Sequence, residues 1–197
     1  PFRLFGWPHL TALVVAVAFN VGLVRRFRDA DGSVRARVCR VLAVVLWAQE
    51  LSWHTWNLAV GRWRIATMLP LHLCSVLVWA GGLALLLQAR VDEGRPASPW
   101  LRRIYEPLYF FGIGGATQAL LTPDVLPFGV AHFRFFQTML SHTLILASAV
   151  WLTFGERRRP TLASAGRALL VLAAYAGVVF AANLALGSNY LFINRKP

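Results

Sequence analysis

A few ionisable and nucleophilic side chains sit inside long apolar runs, and their spacing groups them. Glu50 and His54 are four residues apart, so on a helix they share a face, and Asn57 continues it one turn on. His72 and Ser75 share another face, whereas Cys74, two positions from His72, points elsewhere in a regular helix. Further on, Arg134, Thr138, Ser141 and His142 fall along one broad helical face.

Three chemistries fit these residue types. In acyl transfer, Cys74 is the natural nucleophile, His142 or His72 takes its proton, and Glu50 holds a histidine in the needed tautomer. Set against this, a free cysteine is most often a small buried apolar filler. In metal-assisted hydrolysis, Glu50 and His54 with His142 or His132 would hold zinc and activate water. No tight ligand motif is present, and no cofactor is expected. In the third chemistry, the cavity binds a small solute for a transporter complex, with Trp53, Trp56 and Trp63 as a lid. Those tryptophans equally suit an aromatic belt at a membrane interface. Composition does not separate the three.

The elements that must position these groups are membrane spans. Of the 197 residues, 57% are hydrophobic and 14% charged, too little charge to cover a soluble domain of this length. The apolar residues come in blocks of the length that a hydrocarbon core of ~30 Å demands. Six blocks are expected to span, at about Trp7 to Val24, Val38 to Val60, Met68 to Ala89, Pro107 to Leu121, His132 to Phe154 and Ala165 to Leu186. The fold class is therefore all-α, a polytopic six-transmembrane-helix bundle forming a single integral membrane domain over residues 1–197.

Pro70 would lie in the first turn of the third span, where proline is tolerated. The fourth span is short, and it reads as little tilted or broken, with Gly112, Gly114, Gly115 and Ala116 permitting close approach. Ala16-Val17-Ala18 resembles a signal-peptidase site, but apolar sequence continues past it to Arg25-Arg26, so a retained helix is expected. On the sixth span, Ala173, Gly177 and Ala181 form a small-residue stripe that can pack inside the bundle or against another copy in a homo-oligomer.

The net charge of +12 does not signal nucleic acid, because the arginines sit in loops flanking apolar blocks rather than on one face. Those loops set orientation. With Arg40, Arg134 and Arg167, each the third residue of its span, counted with the preceding loop, the segments after spans one, three and five hold six, four and four Lys or Arg, and the other four segments hold one, two, one and two. By the positive-inside rule both termini face outside. Cys39 and Cys74 then lie near opposite membrane faces, beyond disulfide reach.

With orientation set, the costly side chains share one depth. Glu50, His54, His72, Gln118, His132, Arg134, His142, Asn183, Asn189 and Tyr190 fall in the outer half or at its boundary, as does His9. An ionisable group at mid-helix costs ~2.5–3.5 kcal/mol to insert. Helix-to-helix hydrogen bonding with solvation at the outer interface is one account of their shared level. Glu50 lies too deep for such solvation, which favours one cavity opening toward the outer leaflet, walled by the second, third and fifth spans. Its expected catalytic residues are His142, Cys74, Glu50 and His72. Its expected substrate-binding residues are Arg134, Gln118, His54 and Asn189.

Several stretches carry a resemblance: Gln49-Glu50-Leu51, Leu69-Pro70-Leu71-His72-Leu73-Cys74, the run from Gly114 to Pro123, and His132-Phe133-Arg134-Phe135-Phe136-Gln137. To these add Ser141-His142 and Gly187-Ser188-Asn189-Tyr190 with Lys196-Pro197. Over essentially its whole length the chain resembles the YwaF-type family of small bacterial membrane proteins. That implies a place in a bacterial cytoplasmic membrane.

The family is similar to a vertebrate multi-pass acyltransferase that places polyunsaturated chains on ether phospholipids. More distantly it is similar to the androgen-induced hydrolases of branched fatty-acid esters, which use a threonine and a histidine in a six-helix fold. The resemblance implies membrane phospholipids as partners and an acyltransferase or lipid-ester hydrolase activity. In that acyltransferase a cysteine just after a proline and a histidine in a later helix are the catalytic pair; the resemblance matches the histidine to His142, and Glu50 to an acidic residue in the same Glu-Leu context. The cysteine departs: directly after the proline this chain has Leu71 and then His72, and Cys74 stands three residues beyond Leu71.

Overall fold

The computed structural model describes residues 2–125 and 129–196; Pro197, the last residue of the family-like stretches, lies outside them. Among the described residues every regular element is helical. The helices are α1 (Trp7–Phe27), α2 (Gly32–Ala59), α3 (Ile65–Met68), α4 (Leu73–Asp92), α5 (Pro99–Pro107), α6 (Ile113–Leu121), α7 (Phe133–Val150) and α8 (Leu162–Leu186). A π-helical turn at Leu108–Gly112 joins α5 to α6, another at Trp151–Gly155 prolongs α7, and a 3₁₀ turn at Tyr190–Phe192 follows α8.

Four of these are long and apolar enough to cross a membrane: Trp7–Phe27, Leu73–Asp92, Phe133–Gly155 and Leu162–Leu186. They present large apolar side chains outward, among them Val14, Leu169, Leu170 and Leu184. Such exposure is what a lipid-facing surface requires. α2 has 28 residues, but Arg35, Arg37 and Arg40 occupy its first turns. The fourth expected span is helical from Pro99 onward rather than from Pro107. Proline has no N–H to donate and crowds the preceding turn, and the helix widens into π geometry immediately after Pro107.

The third expected span differs as well. Instead of one helix from Met68, the chain forms the single turn of α3, breaks at Leu69–His72, and restarts as α4 at Leu73. Pro70 sits in the break, not in a first helical turn. Two tyrosines from the end of the chain satisfy the polar backbone there. The Tyr190 hydroxyl donates to Ile65 O and accepts from Leu69 N at 2.9 Å, and the Tyr175 hydroxyl donates to Leu71 O at 2.8 Å.

The core lies where α2, α4, α5 and α7 meet, around Leu46, Leu85, Leu101, Leu108, Ile145 and Trp151. α2 and α4 approach closely because Gly82 has no side chain: a Cβ there would stand 2.1 Å from Trp47 Nε1. Gly114 and Gly115 have open space instead, so close approach in this region rests on Gly112 against Leu108 and Ala149. The stripe of Ala173, Gly177 and Ala181 faces away from the bundle. α1 is held by fully buried His9, whose Nδ1 accepts from Phe5 N at 3.0 Å and whose Nε2 donates to Leu120 O at 2.8 Å.

At one end of the bundle the α1–α2 connection and the ends of α4 and α7 meet in a network of charges. Arg35 lies 3.5 Å from Asp92 and 3.6 Å from Glu156, and the Gln88 amide donates to both carboxylates at 2.9 and 3.0 Å. Cys39, Asp92 and Glu156 bring ligand-type atoms within 4.8 Å of one another. The Arg35 guanidinium approaches Asp92 to 3.5 Å, and the Trp151 N–H donates to the Cys39 sulfur at 3.1 Å. Cys39 and Cys74 are both free thiols.

Burial, reinforced by the neighbouring Asp92, raises the Glu156 carboxyl from its ordinary value to about 7. The folded state thus retains a proton that the unfolded chain releases near 4.5. The contribution to stability is full below that value and is lost as pH rises through about 7. Thermal unfolding in detergent should accordingly fall between pH 5 and 7.5, and Glu156→Gln should flatten the fall. An identical slope in parent and variant would remove Glu156 as its source.

Candidate functional site

At the opposite end, the C-terminal part of α2, the α3–α4 break, the end of α6 and the first turns of α7 enclose a cavity of about 330 Å³. Glu50 is almost fully buried on its wall, and His54 follows one turn later with Nε2 3.7 Å from Glu50 Oε1. Trp63 fixes the tautomer of His54: its indole N–H donates to His54 Nδ1 at 3.1 Å, so the N–H of this imidazole is on Nε2, toward the carboxylate. The Ser75 hydroxyl of α4 stands beside the same carboxylate.

His142 has the opposite tautomer. Its Nδ1 lies 2.8 Å from Thr138 O, and since a carbonyl only accepts, Nδ1 carries the hydrogen. In the neutral ring Nε2 therefore keeps its lone pair, as a proton acceptor must. His142 also lines the cavity, with Thr138, Ser141 and Gln137 of the same helix. Gln137 braces α7 to α2 by donating to Gln49 Oε1 at 3.3 Å.

His72 is not inside a helix. It is the extended N-cap residue of α4, its ring packed against Tyr190 at 5.1 Å and Phe192 at 5.2 Å between centroids. This corrects the inference that Cys74 must point away from His72. The two-residue rule holds only within a regular helix, and α4 begins at Leu73, so His72 and Cys74 face the same cavity.

Arg134 stacks over Trp53 at 5.0 Å and lies 3.6 Å from Asp124, whose side chain is 92% exposed. Its Nε also donates to Asp124 O at 3.4 Å, so the guanidinium is held at the cavity lining. Trp53 in turn stacks on Trp56 and Phe133, forming an aromatic rim.

Compared with protein-family models, the sequence from residue 4 to residue 197 matches that of the TMEM164 family. The chain belongs to the TMEM164 family. No curated protein and no solved structure matches it. With the four spanning-type helices, membership of TMEM164 makes this an integral membrane protein.

In this TMEM164 family member the structure brings Glu50, His54, His72, Cys74, Arg134 and His142 to one cavity. It does not bring Gln118 or Asn189 there. Gln118 is exposed, and its carbonyl caps the end of α6 through Thr122. Asn189 organises the C-terminal turn, accepting from the backbone of Asn194 and Arg195 and donating to Arg195 O. His132 caps α7 through its Nδ1 and packs on Trp56, so the alternative zinc set of Glu50, His54 and His132 has no common centre in this cavity.

The sequence puts Thr122 at the outer end of the fourth span but gives that span no part in the cavity wall; the structure adds α6 to the wall through Ala119, with Thr122 and Asp124 just beyond it. The Thr122-Pro123 helix stop ahead of Asp124 was the available signal, since it returns the chain toward α7.

Proposed function

We propose that this protein transfers or hydrolyses an acyl chain of a membrane phospholipid within the cavity, with His142 Nε2 as the base. The observation that carries this reading is His142 itself: a neutral imidazole locked through Nδ1 by its own helix, with Nε2 available in a pocket shared with a carboxylate, a second histidine and a thiol. Imidazole is suited to accept and return a proton near neutral pH.

In the covalent route, Cys74 Sγ gives its proton to His142 and attacks the ester carbonyl. The carbon–oxygen bond then breaks, and the leaving lysophospholipid alkoxide takes the proton from His142. A water or lipid hydroxyl, deprotonated by the same imidazole, attacks the thioester and frees the thiol. In the direct route, the hydroxyl attacks the ester itself. Glu50 orients His54 and balances charge, while Arg134 meets the lipid phosphate. The resemblance to YwaF-type proteins and to the ether-phospholipid acyltransferase supports the lipid substrate.

The reading includes six spans with both termini outside, in a bacterial cytoplasmic membrane. α2, about 42 Å long at ~1.5 Å per residue, and the helical run from Pro99 to Leu121 supply the two further crossings. Reporter fusions at Arg28, Val91 and Arg158 should all give a cytoplasmic signal; an external signal from any one breaks the topology.

Purified protein in vesicles of labelled phosphatidylethanolamine tests the activity. Release or transfer of the labelled chain is the expected result. Absence of turnover, together with an unmodified small metabolite retained on the purified protein, would instead establish a solute-binding component.

A further inference from the structure

The charged end of the bundle, opposite the cavity, holds a second concavity of about 330 Å³ between α5, the segment after α7 and the start of α8. Four arginines, Arg102, Arg158, Arg159 and Arg167, line it with a single carboxylate, Glu106. Arg167 binds that carboxylate through two nitrogens at 2.7 and 2.5 Å, and Ser164 donates to it at 3.1 Å. Little of the acid is left for the others. Arg102 approaches it only to 4.0 Å, and Arg158 spends its Nε on Gln88 at 2.7 Å. Arg159 has no hydrogen bond or ion pair among the described residues.

The positive-inside bias accounts for arginines at this end but not for their convergence on a hollow. The N-terminus of the 25-residue α8 also opens there, closed by the reciprocal cap of Thr161 and Ser164, and its macrodipole adds positive potential. Guanidinium forks match the paired oxygens of a phosphate. Immediately along α8, Leu162 is 94% exposed, Leu170 72% and Leu169 61%, an apolar track leading away from the arginines.

We propose that this concavity binds a phosphate group at the inner membrane face, with Arg159 and the loosely paired Arg102 as its donors. The apolar track suits the headgroup of an anionic phospholipid whose chains run along α8; the same donors would take a free phosphate.

The test uses the whole chain in neutral detergent with two separate probes, phosphatidylglycerol and inorganic phosphate, read by native mass spectrometry and by thermal unfolding. Phosphatidylglycerol should be retained and should stabilise the parent. Arg102→Ala with Arg159→Ala should weaken that retention roughly tenfold or more. Arg25→Ala with Arg26→Ala, which removes as much charge from the end of α1, should leave it unchanged. Circular dichroism of both double variants without lipid checks folding, and Arg159→Glu in the parent background gives a second reading at one position.

A shift with inorganic phosphate, abolished by the same two substitutions, supports the site with a free phosphate as its ligand. Equal loss in both double variants means general attraction of an anionic lipid to a basic surface and overturns the proposal. So does failure of both probes to bind the parent.

Discussion

Substituting His142 by alanine is expected to reduce phospholipid acyl turnover by ~10²–10⁴-fold, the usual contribution of a positioned general base. The variant should still insert and fold, because the His142 side chain hydrogen-bonds to the preceding turn of its own helix rather than to a second element. Cys74→Ala then separates the two routes. Loss as deep as that of His142→Ala supports the thioester, and survival of activity assigns His142 to direct activation of water or a hydroxyl. If turnover in vesicles is the same for His142→Ala as for the parent, the enzymatic reading fails whatever Cys74 does.

The largest effect on stability should come from the other end of the molecule. Trp151 is fully buried in the π turn that ends α7, donates to the Cys39 sulfur at 3.1 Å, and fills the space that a Cβ at Gly155 would invade at 2.5 Å. Removing a buried aromatic ring typically costs ~3–5 kcal/mol. Trp151→Ala should lower unfolding stability in detergent by about that amount. Trp7→Ala, at a residue 83% exposed, should change it little. Comparable stabilities for the two variants would contradict a close-packed junction of α2, α4 and α7.

Much of the cavity was legible in the sequence because membrane insertion makes polarity expensive. Glu50, His54, His72, Arg134 and His142 are separated by up to about ninety positions, yet helix polarity and span order alone put them at one level. Depth, however, says nothing about where a helix breaks. Pro70 was compatible with a first turn, and only the carbonyl partners offered by Tyr175 and Tyr190, more than a hundred residues later, decide for an extended segment. The relation between His72 and Cys74 was misread for that reason.

Gln118 and Asn189 share the right depth but serve a helix end and a turn, which depth cannot distinguish from a cavity wall. The ion network of Arg35, Asp92 and Glu156 was illegible because it depends on three connections meeting in space. The π turns likewise leave little trace in a pattern of apolar residues.

The tyrosine ties also set an order of assembly. Leu69 N and Ile65 O wait for a hydroxyl 121 and 125 positions further along the chain. During synthesis the earlier helices can enter the bilayer and α2, α4 and α7 can dock while the segment carrying His72 still lacks its fastening. The pocket is completed only when α8 has inserted and Tyr190 has folded back beneath it. A chain truncated before Tyr175 would keep its earlier helices yet lack both fastenings of the segment that carries His72.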